Sequence, residues 1–353
     1  MAAADDYDGA AALAEFHTSR AGVRGLVESD ITSVPRLFLA PRPSSPCTPP
    51  AENEIPFAIP TADLALPRSA TVQLVRAAAR SFGFFHVTDH GDVHTGTVDS
   101  AVSAVRAFHE LPPATRSAFY TPACVGSVTY STIPIPGPLL PWRDTLQVRF
   151  GPPAPDLSHL PEACRDALLE YQRCMTEFGK KIAGLLSEAL GVGAERLERA
   201  MQVEGWLMAC HYYPPCAEPA QVVGSMAHTD PSLFTVLAQD GVGGLQVRLD
   251  DGRWADVSPM PGALLVNVGD LLKYKSVEHR VVIKSSRDAR VSIALFFNPA
   301  KREESDLFGP LPELVTPGNP QRYRTFNLTE FMDSRRKLGH GLSSIDRFRI
   351  AHE

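Results

Sequence analysis

Apolar side chains recur at two periods along this chain, and the change of period divides it. Between Pro161 and Leu190 the residues Leu168, Tyr171, Met175, Phe178, Ile182 and Leu185 return every three or four positions, the repeat of one helix face, and Gly191 supplies a stop. Shorter stretches of the same spacing predict helices around Ala10–Phe16, over 71–80 and over 97–110, the last closed by Pro112 and Pro113. The aromatic and β-branched run FGFFHVTDHG at 82–91 predicts a strand between the second and third of these. Beyond Trp206 the texture becomes a series of short apolar runs bounded by Gly, Pro and Asp: LMACHYY, SLFTVLAQD, GGLQVRLDDGRWADV, ALLVNVGD, EHRVVIKS and RVSIALFFNP. These are strand patterns, and Asp250-Asp251-Gly252 is a hairpin turn within one of them. A final helix is expected from about Asn327, whose side chain caps while Glu330 reaches back, to Leu338 before Gly339. Many short, evenly spaced strands imply a mainly β fold with flanking helices, a sandwich or jelly roll.

The same patterns organise the chain into an arm and proline-rich connector (1–60), a helix and strand region (61–200), a strand-rich core (201–320) and a C-terminal helix and tail (321–353). From about residue 55 onward these are expected to form one integrated catalytic domain. The stretch Tyr120–Pro141 carries five prolines and reads equally as a loop over a functional site or as packing.

Composition narrows the classes of function. With 44% hydrophobic and 21% charged residues in 353, the chain has the make-up of an ordinary folded protein. A net charge of −6, with Lys and Arg scattered, provides no basic field for nucleic acid. No apolar run approaches the roughly 20 residues of a membrane span, and the opening MAAADDYDGAAALAEF lacks the order of a signal peptide, so a cytoplasmic location is expected. The six cysteines show no CxxC pair, which suits free thiols.

His228-Thr229-Asp230 sets an imidazole and a carboxylate two residues apart, on one side of an extended segment. A second histidine, His279, follows 51 residues later, across strands that can fold it back against the first pair. Two histidines and one carboxylate form the facial triad that leaves metal positions open for substrates, and non-haem iron(II) is its usual occupant. An HxD pair alone is commonplace; what strengthens it is Arg290-Val291-Ser292, 11 residues after His279, where strand alternation puts Arg290 and Ser292 on one face. A planar guanidinium beside a hydroxyl receives a carboxylate well. Three metal ligands and an anion receptor together suit a 2-oxo acid, chelated to iron at one end and docked on Arg290 at the other.

These residues resemble the plant 2-oxoglutarate and iron(II)-dependent dioxygenases. The resemblance is carried by GFFHVTDHG, WRDTL, HYYPPC, AHTDPSLFTVLAQDGVGGLQV, PGALLVNVGDLL, KYKSVEHRV, ARVSIALFFNP and IDRFRI, and so covers nearly the whole chain. AGVRGLVESDITSVPRLF and WRDTL are similar in particular to the 1-aminocyclopropane-1-carboxylate oxidase homologues, a group that includes a grass enzyme acting on a benzoxazinoid glucoside. The resemblance implies a double-stranded β-helix in which His228, Asp230 and His279 bind iron, while Arg290, Ser292 and Tyr213 hold 2-oxoglutarate. It also implies O2 as oxidant and ascorbate as a reductant. His211 stands where many relatives have Asn. The loop at 121–141 and the helix from Asn327 would border the substrate pocket, with Tyr130, His211 and Phe297 as candidate pocket residues, although Phe297 suits a core at least as well. No catalytic side chain beyond the metal ligands is implied. A monomer oxidising a small specialised plant metabolite, with release of succinate and carbon dioxide, is the expectation.

One departure bears on activity. Relatives carry about half a dozen residues between GDLL and KxKSVEHR that are missing here, where Leu272 is followed directly by Lys273. At about 3.3 Å per extended residue, such a loss could displace His279 by several ångströms. Three outcomes therefore stand: an active dioxygenase, an ascorbate-using oxidase of the ethylene-forming kind, and a jelly-roll binder whose iron site is spoiled.

Overall fold

The computed structural model describes residues 7–40, 58–91, 93–121, 125–132, 140–151, 154–272, 274, 276–300, 303, 305–338 and 344–350. An arm of two helices, α1 (Gly9–Ser19) and α2 (Gly22–Glu28), comes first. There follow β1 (Thr61–Asp63), α3 (Arg68–Ser81), β2 (Phe84–Thr88), α4 (Thr95–His109), α5 (Pro113–Phe119), β3 (Val128–Ser131), β4 (Asp144–Arg149), α6 (Glu162–Leu190) and α7 (Arg196–Met201). The strand-rich half comprises β5 (Val203–Tyr213), β6 (Ser225–His228), β7 (Phe234–Gln239), β8 (Leu245–Arg248), β9 (Trp254–Asp256), β10 (Leu264–Val268), β11 (His279–Val281) and β12 (Arg290–Pro299), before α8 (Leu328–Leu338).

These strands make two sheets. The larger has the order β1-β2-β10-β7-β12-β5-β4-β3, and the smaller β6-β11-β8-β9. Alternation explains the layering. Along β12, Val291, Ile293, Leu295 and Phe297 turn to one face and pack with Leu168, Phe178 and Ile182 of α6 in the main core. The opposite face of the large sheet contributes Phe84, Tyr213 and Leu265 to a second apolar layer, shared with Leu245, Val247 and Val281 of the small sheet. The molecule is thus a jelly roll with helices covering the outer face of its larger sheet. The sequence placed these helices within a few residues, and Gly191 ends α6 with φ 90 as its position implied. α4 ends at His109 ahead of the Pro112-Pro113 pair, as expected, and Pro113 then takes the first turn of α5, where no backbone N–H is needed. The hairpin turn at Gly252 joins β8 to β9, with φ 85.

Two candidate wall residues sit elsewhere than expected. Phe297 stacks on Phe234, with ring centroids 4.6 Å apart, and fills the space left by Gly179 of α6, where a Cβ would lie 1.9 Å from its ring. It is a core residue, and its neighbour Phe296 faces the inner cavity instead. Tyr130 is in register with Leu146, itself in register with Cys210, and all three belong to the helix-side core. Its ring meets Phe108 and His109 of α4, at 5.0 and 5.5 Å between centroids. A single-residue step along a strand reverses the face, so Ser131 and Thr129 alternate to the other side. The loop at 121–141 falls partly, and the proline-rich connector mostly, outside the described residues.

WRDTL is the clamp for the arm. Trp142 is buried against Phe38, which in turn meets Phe16 of α1. The Asp144 carboxylate, fully buried, accepts hydrogen bonds from the backbone N–H groups of Val23 and Arg24 at 2.9 and 2.8 Å and from the Thr132 hydroxyl at 2.6 Å. Gly22 has φ 66 and leaves no room for a Cβ, which would lie 2.8 Å from the Asp144 oxygens. Arg116, also buried, adds an ion pair to Glu28 of α2 at 2.5 Å. Among the described residues, Cys164, Cys174, Cys210 and Cys216 are buried free thiols, and no helix is long and apolar enough to cross a membrane.

Two outcomes follow from this packing. Asp144→Ala leaves two backbone donors buried without an acceptor and should cost roughly 2–4 kcal/mol; limited proteolysis should then release the arm before the core, and an arm as resistant as in the wild type would contradict this. His109 stacks on Tyr212 at 5.0 Å, and burial pushes its imidazole down to about 3, although its bond to the Val105 carbonyl opposes this. Its folded pKa is depressed, so the stability it contributes is present above about pH 6.5 and lost as the pH falls toward 3, where the unfolded chain takes the proton first. His109→Phe keeps the stacking and removes that linkage, so melting temperature should fall less steeply between pH 7 and 5 than in the wild type.

Candidate active site

The inner face of the large sheet and the end of the small sheet enclose a cavity that brings the sequence-predicted residues together. β6 and β11 pair antiparallel with His228 opposite His279, and the two imidazoles lie 4.3 Å apart between centroids. Asp230 follows β6 by two residues, and its Oδ1 is 3.6 Å from His228 Nε2 and 3.7 Å from His279 Nε2. Among the described residues these three make a group able to hold a metal ion, with donor atoms within 4.8 Å of one another.

The remaining heteroatoms are tied back by the protein. His228 Nδ1 lies 2.8 Å from the Met226 carbonyl and His279 Nδ1 lies 3.1 Å from the Val277 carbonyl. Each Nδ1 therefore carries the hydrogen, and each Nε2 lone pair is aimed at Asp230. The other Asp230 oxygen accepts from the Thr235 hydroxyl at 2.6 Å and the Asn267 amide at 2.8 Å, leaving Oδ1 for an ion. Burial pushes the His228 imidazole down to about 3, with His279 adding to the effect, so it is neutral as a ligand must be. Burial opposes ionisation of Asp230, while any proton on the facing imidazoles and the two hydrogen bonds favour it, and the balance holds the carboxyl below its usual range. The donor set fits a divalent transition metal.

The shortened connector does not displace His279. Ahead of it the chain is stapled to the metal loop: the Gly269 N–H donates to the Leu233 carbonyl at 2.9 Å, Asp270 to Asp230 at 2.8 Å and Leu271 to Ser232 at 3.2 Å. Gly269 approaches so closely that a Cβ would lie 2.0 Å from the Ser232 carbonyl oxygen. Beyond it, β11 is held between β6 and β8. Leu271, Leu272, Tyr274 and Ser276 of the connector line a separate cavity of about 420 Å³, which none of the three donor residues touches.

Arg290 and Ser292 share the inner face of β12, opposite Tyr213 and His211 of β5. The Arg290 guanidinium is buried; it donates to the Ser292 hydroxyl at 2.8 Å and the Gln239 side chain at 2.9 Å, and lies 4.9 Å from the centre of the Tyr213 ring. Its Nε–H has no partner, and no carboxylate within ion-pair reach balances its charge among the described residues. His211 lines the cavity and bonds to the Thr145 hydroxyl at 3.0 Å; burial, then Arg143 and Arg290, hold its imidazole well below its usual value. Thr235, Asn267, Gln239 and Arg143 are site residues that sequence reasoning missed. Asn267 and Gln239 act through partners distant in sequence and Thr235 through Asp230 five residues before it, but Arg143 stands in WRDTL, where alternation with the buried Trp142 and Asp144 could have pointed it inward. Asn327 caps α8 as expected, accepting from the Glu330 N–H at 2.8 Å, whereas the Glu330 carboxylate pairs with Arg324 in place of reaching back; Arg335 of that helix disfavours protonation of His228.

Comparison with known proteins agrees with this geometry. Residues 205–299 match the 2OG-Fe(II) oxygenase superfamily, and residues 59–166 match the non-haem dioxygenase in morphine synthesis N-terminal family. The 1-aminocyclopropane-1-carboxylate oxidase homologue 11 of Arabidopsis thaliana is 39% identical over 95% of this chain and 96% of its own. A homologue from Solanum lycopersicum is 34% identical over 98% of each chain. Among solved structures, JOX2 in complex with 2OG, Fe and JA superposes with a TM-score of 0.79 at 28% identity, over 94% of this chain and 98% of that one. The dioxygenase for auxin oxidation in rice gives 0.68 at 25% identity, over 83% and 100%. The chain therefore belongs to the 2OG-Fe(II) oxygenase superfamily, among the 1-aminocyclopropane-1-carboxylate oxidase homologues, and is a 2-oxoglutarate-dependent dioxygenase that uses iron.

Proposed function

We propose that His228, Asp230 and His279 hold one ferrous ion, that Arg290, Ser292 and Tyr213 receive the distal carboxylate of 2-oxoglutarate, and that the protein hydroxylates a small specialised plant metabolite. The observation that carries this reading is the Arg290 guanidinium, buried beside the donor triad with one N–H unpartnered. An uncompensated buried cation is costly, and a carboxylate ligand removes that cost. When bound, the iron couples reduction of O2 to the oxidative decarboxylation of 2-oxoglutarate and to oxygen insertion into a C–H bond, giving succinate, carbon dioxide and the hydroxylated product. The chain's own part is positional. Thr235 and Asn267 orient Asp230, the Met226 and Val277 carbonyls orient the imidazoles, and the two sheets keep bulk water away from the reacting group.

The test is succinate release from 2-oxoglutarate under air with ferrous salt and ascorbate, across a panel of aromatic and glucosylated plant metabolites. Turnover that needs both iron and 2-oxoglutarate, and falls by at least 100-fold in Asp230→Ala, is expected. Turnover of a substrate with ascorbate but without 2-oxoglutarate would favour the ethylene-forming type of oxidase. Gly269→Ala tests the staple independently of turnover. It forces the connector off the Ser232 carbonyl, and the melting-temperature rise on adding Mn(II) should shrink well below the wild-type rise; an equal rise would show that the connector does not hold the loop.

A further inference from the structure

Arg143 has no counterpart in the reading above. Its neighbours Trp142 and Asp144 are buried on the arm side, so alternation along the strand turns Arg143 and Thr145 the other way, where Thr145 meets His211. The backbone there is fixed by bonds from the Trp142 N–H to the Val223 carbonyl and from the Arg143 N–H to the Pro141 carbonyl, both 2.8 Å. Arg143 lines the cavity with the donor triad, its guanidinium 5.9 Å from the centre of the Tyr213 ring. Its Nε–H is buried with no partner, and no carboxylate lies within ion-pair reach of it among the described residues.

Charge balance gives this cation a purpose, on the premise that the site holds iron and 2-oxoglutarate as proposed. The ionised side chains lining the cavity are Arg143, Arg290 and Asp230, with the iron-bound imidazoles neutral. A ferrous ion and the 2-oxoglutarate dianion cancel. The dianion spends one carboxylate on the ion and the other on Arg290. The loaded cavity keeps one positive charge, and Arg143 is the group without a partner. We propose that Arg143 receives a carboxylate of the substrate being oxidised, which makes the protein selective for organic acids. The planar fork of a guanidinium suits that group, and a charged hydrogen bond in a partly dry cavity discriminates strongly against a neutral analogue.

The experiment measures binding to the whole protein loaded with Mn(II) and 2-oxoglutarate, by calorimetry and thermal shift. The probes are benzoate, phenylacetate, cinnamate and cyclopentylacetate, each beside its methyl ester. The acids should bind on the order of 10- to 100-fold more tightly than their esters. R143M should abolish that preference, and R143K, which keeps the charge, should restore part of it and show that the loss is not misfolding. Esters that bind as well as acids, a panel in which no acid binds, or an R143M protein that keeps its preference would overturn the assignment. So would an R143M protein that loses 2-oxoglutarate more than it loses the acids, since Arg143 would then serve the co-substrate. Failure of the wild type to take up Mn(II) and 2-oxoglutarate at all is a separate result, seen before any probe is added, and the proposal falls with the reading beneath it.

Discussion

The structure turns on three atoms, two imidazole Nε2 and one carboxylate oxygen, that lie within 4.8 Å of one another, with the oxygen 3.6 and 3.7 Å from the two nitrogens. Left alone, such an arrangement is unfavourable, because lone pairs and a negative charge are crowded together and desolvated. It persists because every other polar atom of the three side chains is hydrogen bonded, and because the backbones that carry them are paired strands or stapled loops. The eight-stranded sheet, its helical cover and the smaller sheet are the apparatus that sustains this crowding until a cation relieves it.

The same logic extends outward along the sheet. β12 presents Arg290 and Ser292 to the cavity and an aliphatic row to α6. The WRDTL segment leading into β4 presents Arg143 and Thr145 to one side, toward the cavity and His211, and the arm hangs from the other. A contact that looks remote from chemistry, Asp144 beneath the first turn of α2, therefore fixes the backbone that aims a cation at the substrate space. The arm, which by its position in the chain could be mistaken for an appendage, is mechanically continuous with the site.

Much of this was legible in the residues. HxD, the later histidine and RxS have a spacing tied to chemistry, and alternation alone put Arg290 and Ser292 on one face. Periodicity found α6, and Asn327 with Glu330 found the start of α8. What was lost depended on pairing. The register of β3 turns Tyr130 toward the helices, and no local pattern states that register, whereas the alternation that set Arg290 and Ser292 inward already assigned Phe297 to the opposite face with Val291, Ile293 and Leu295. Asn267 grips Asp230 only because β10 lies beside β7, while Thr235 reaches the same carboxylate from five residues along the chain. The missing residues before Lys273 seemed to threaten His279 when distance was counted along the chain. In three dimensions His279 is positioned from its flanks, by β6 and β8, and the connector ahead of it is anchored to Ser232 and Leu233.

The central claim, that this triad is assembled despite the short connector, is tested most directly by anaerobic titration of the purified chain with ferrous ion, followed by X-ray absorption at the iron edge. One ion per chain, with a first coordination sphere containing two imidazole nitrogens and one carboxylate, is the expected result. An ion bound through fewer than two imidazoles, or no stoichiometric binding, would contradict the account.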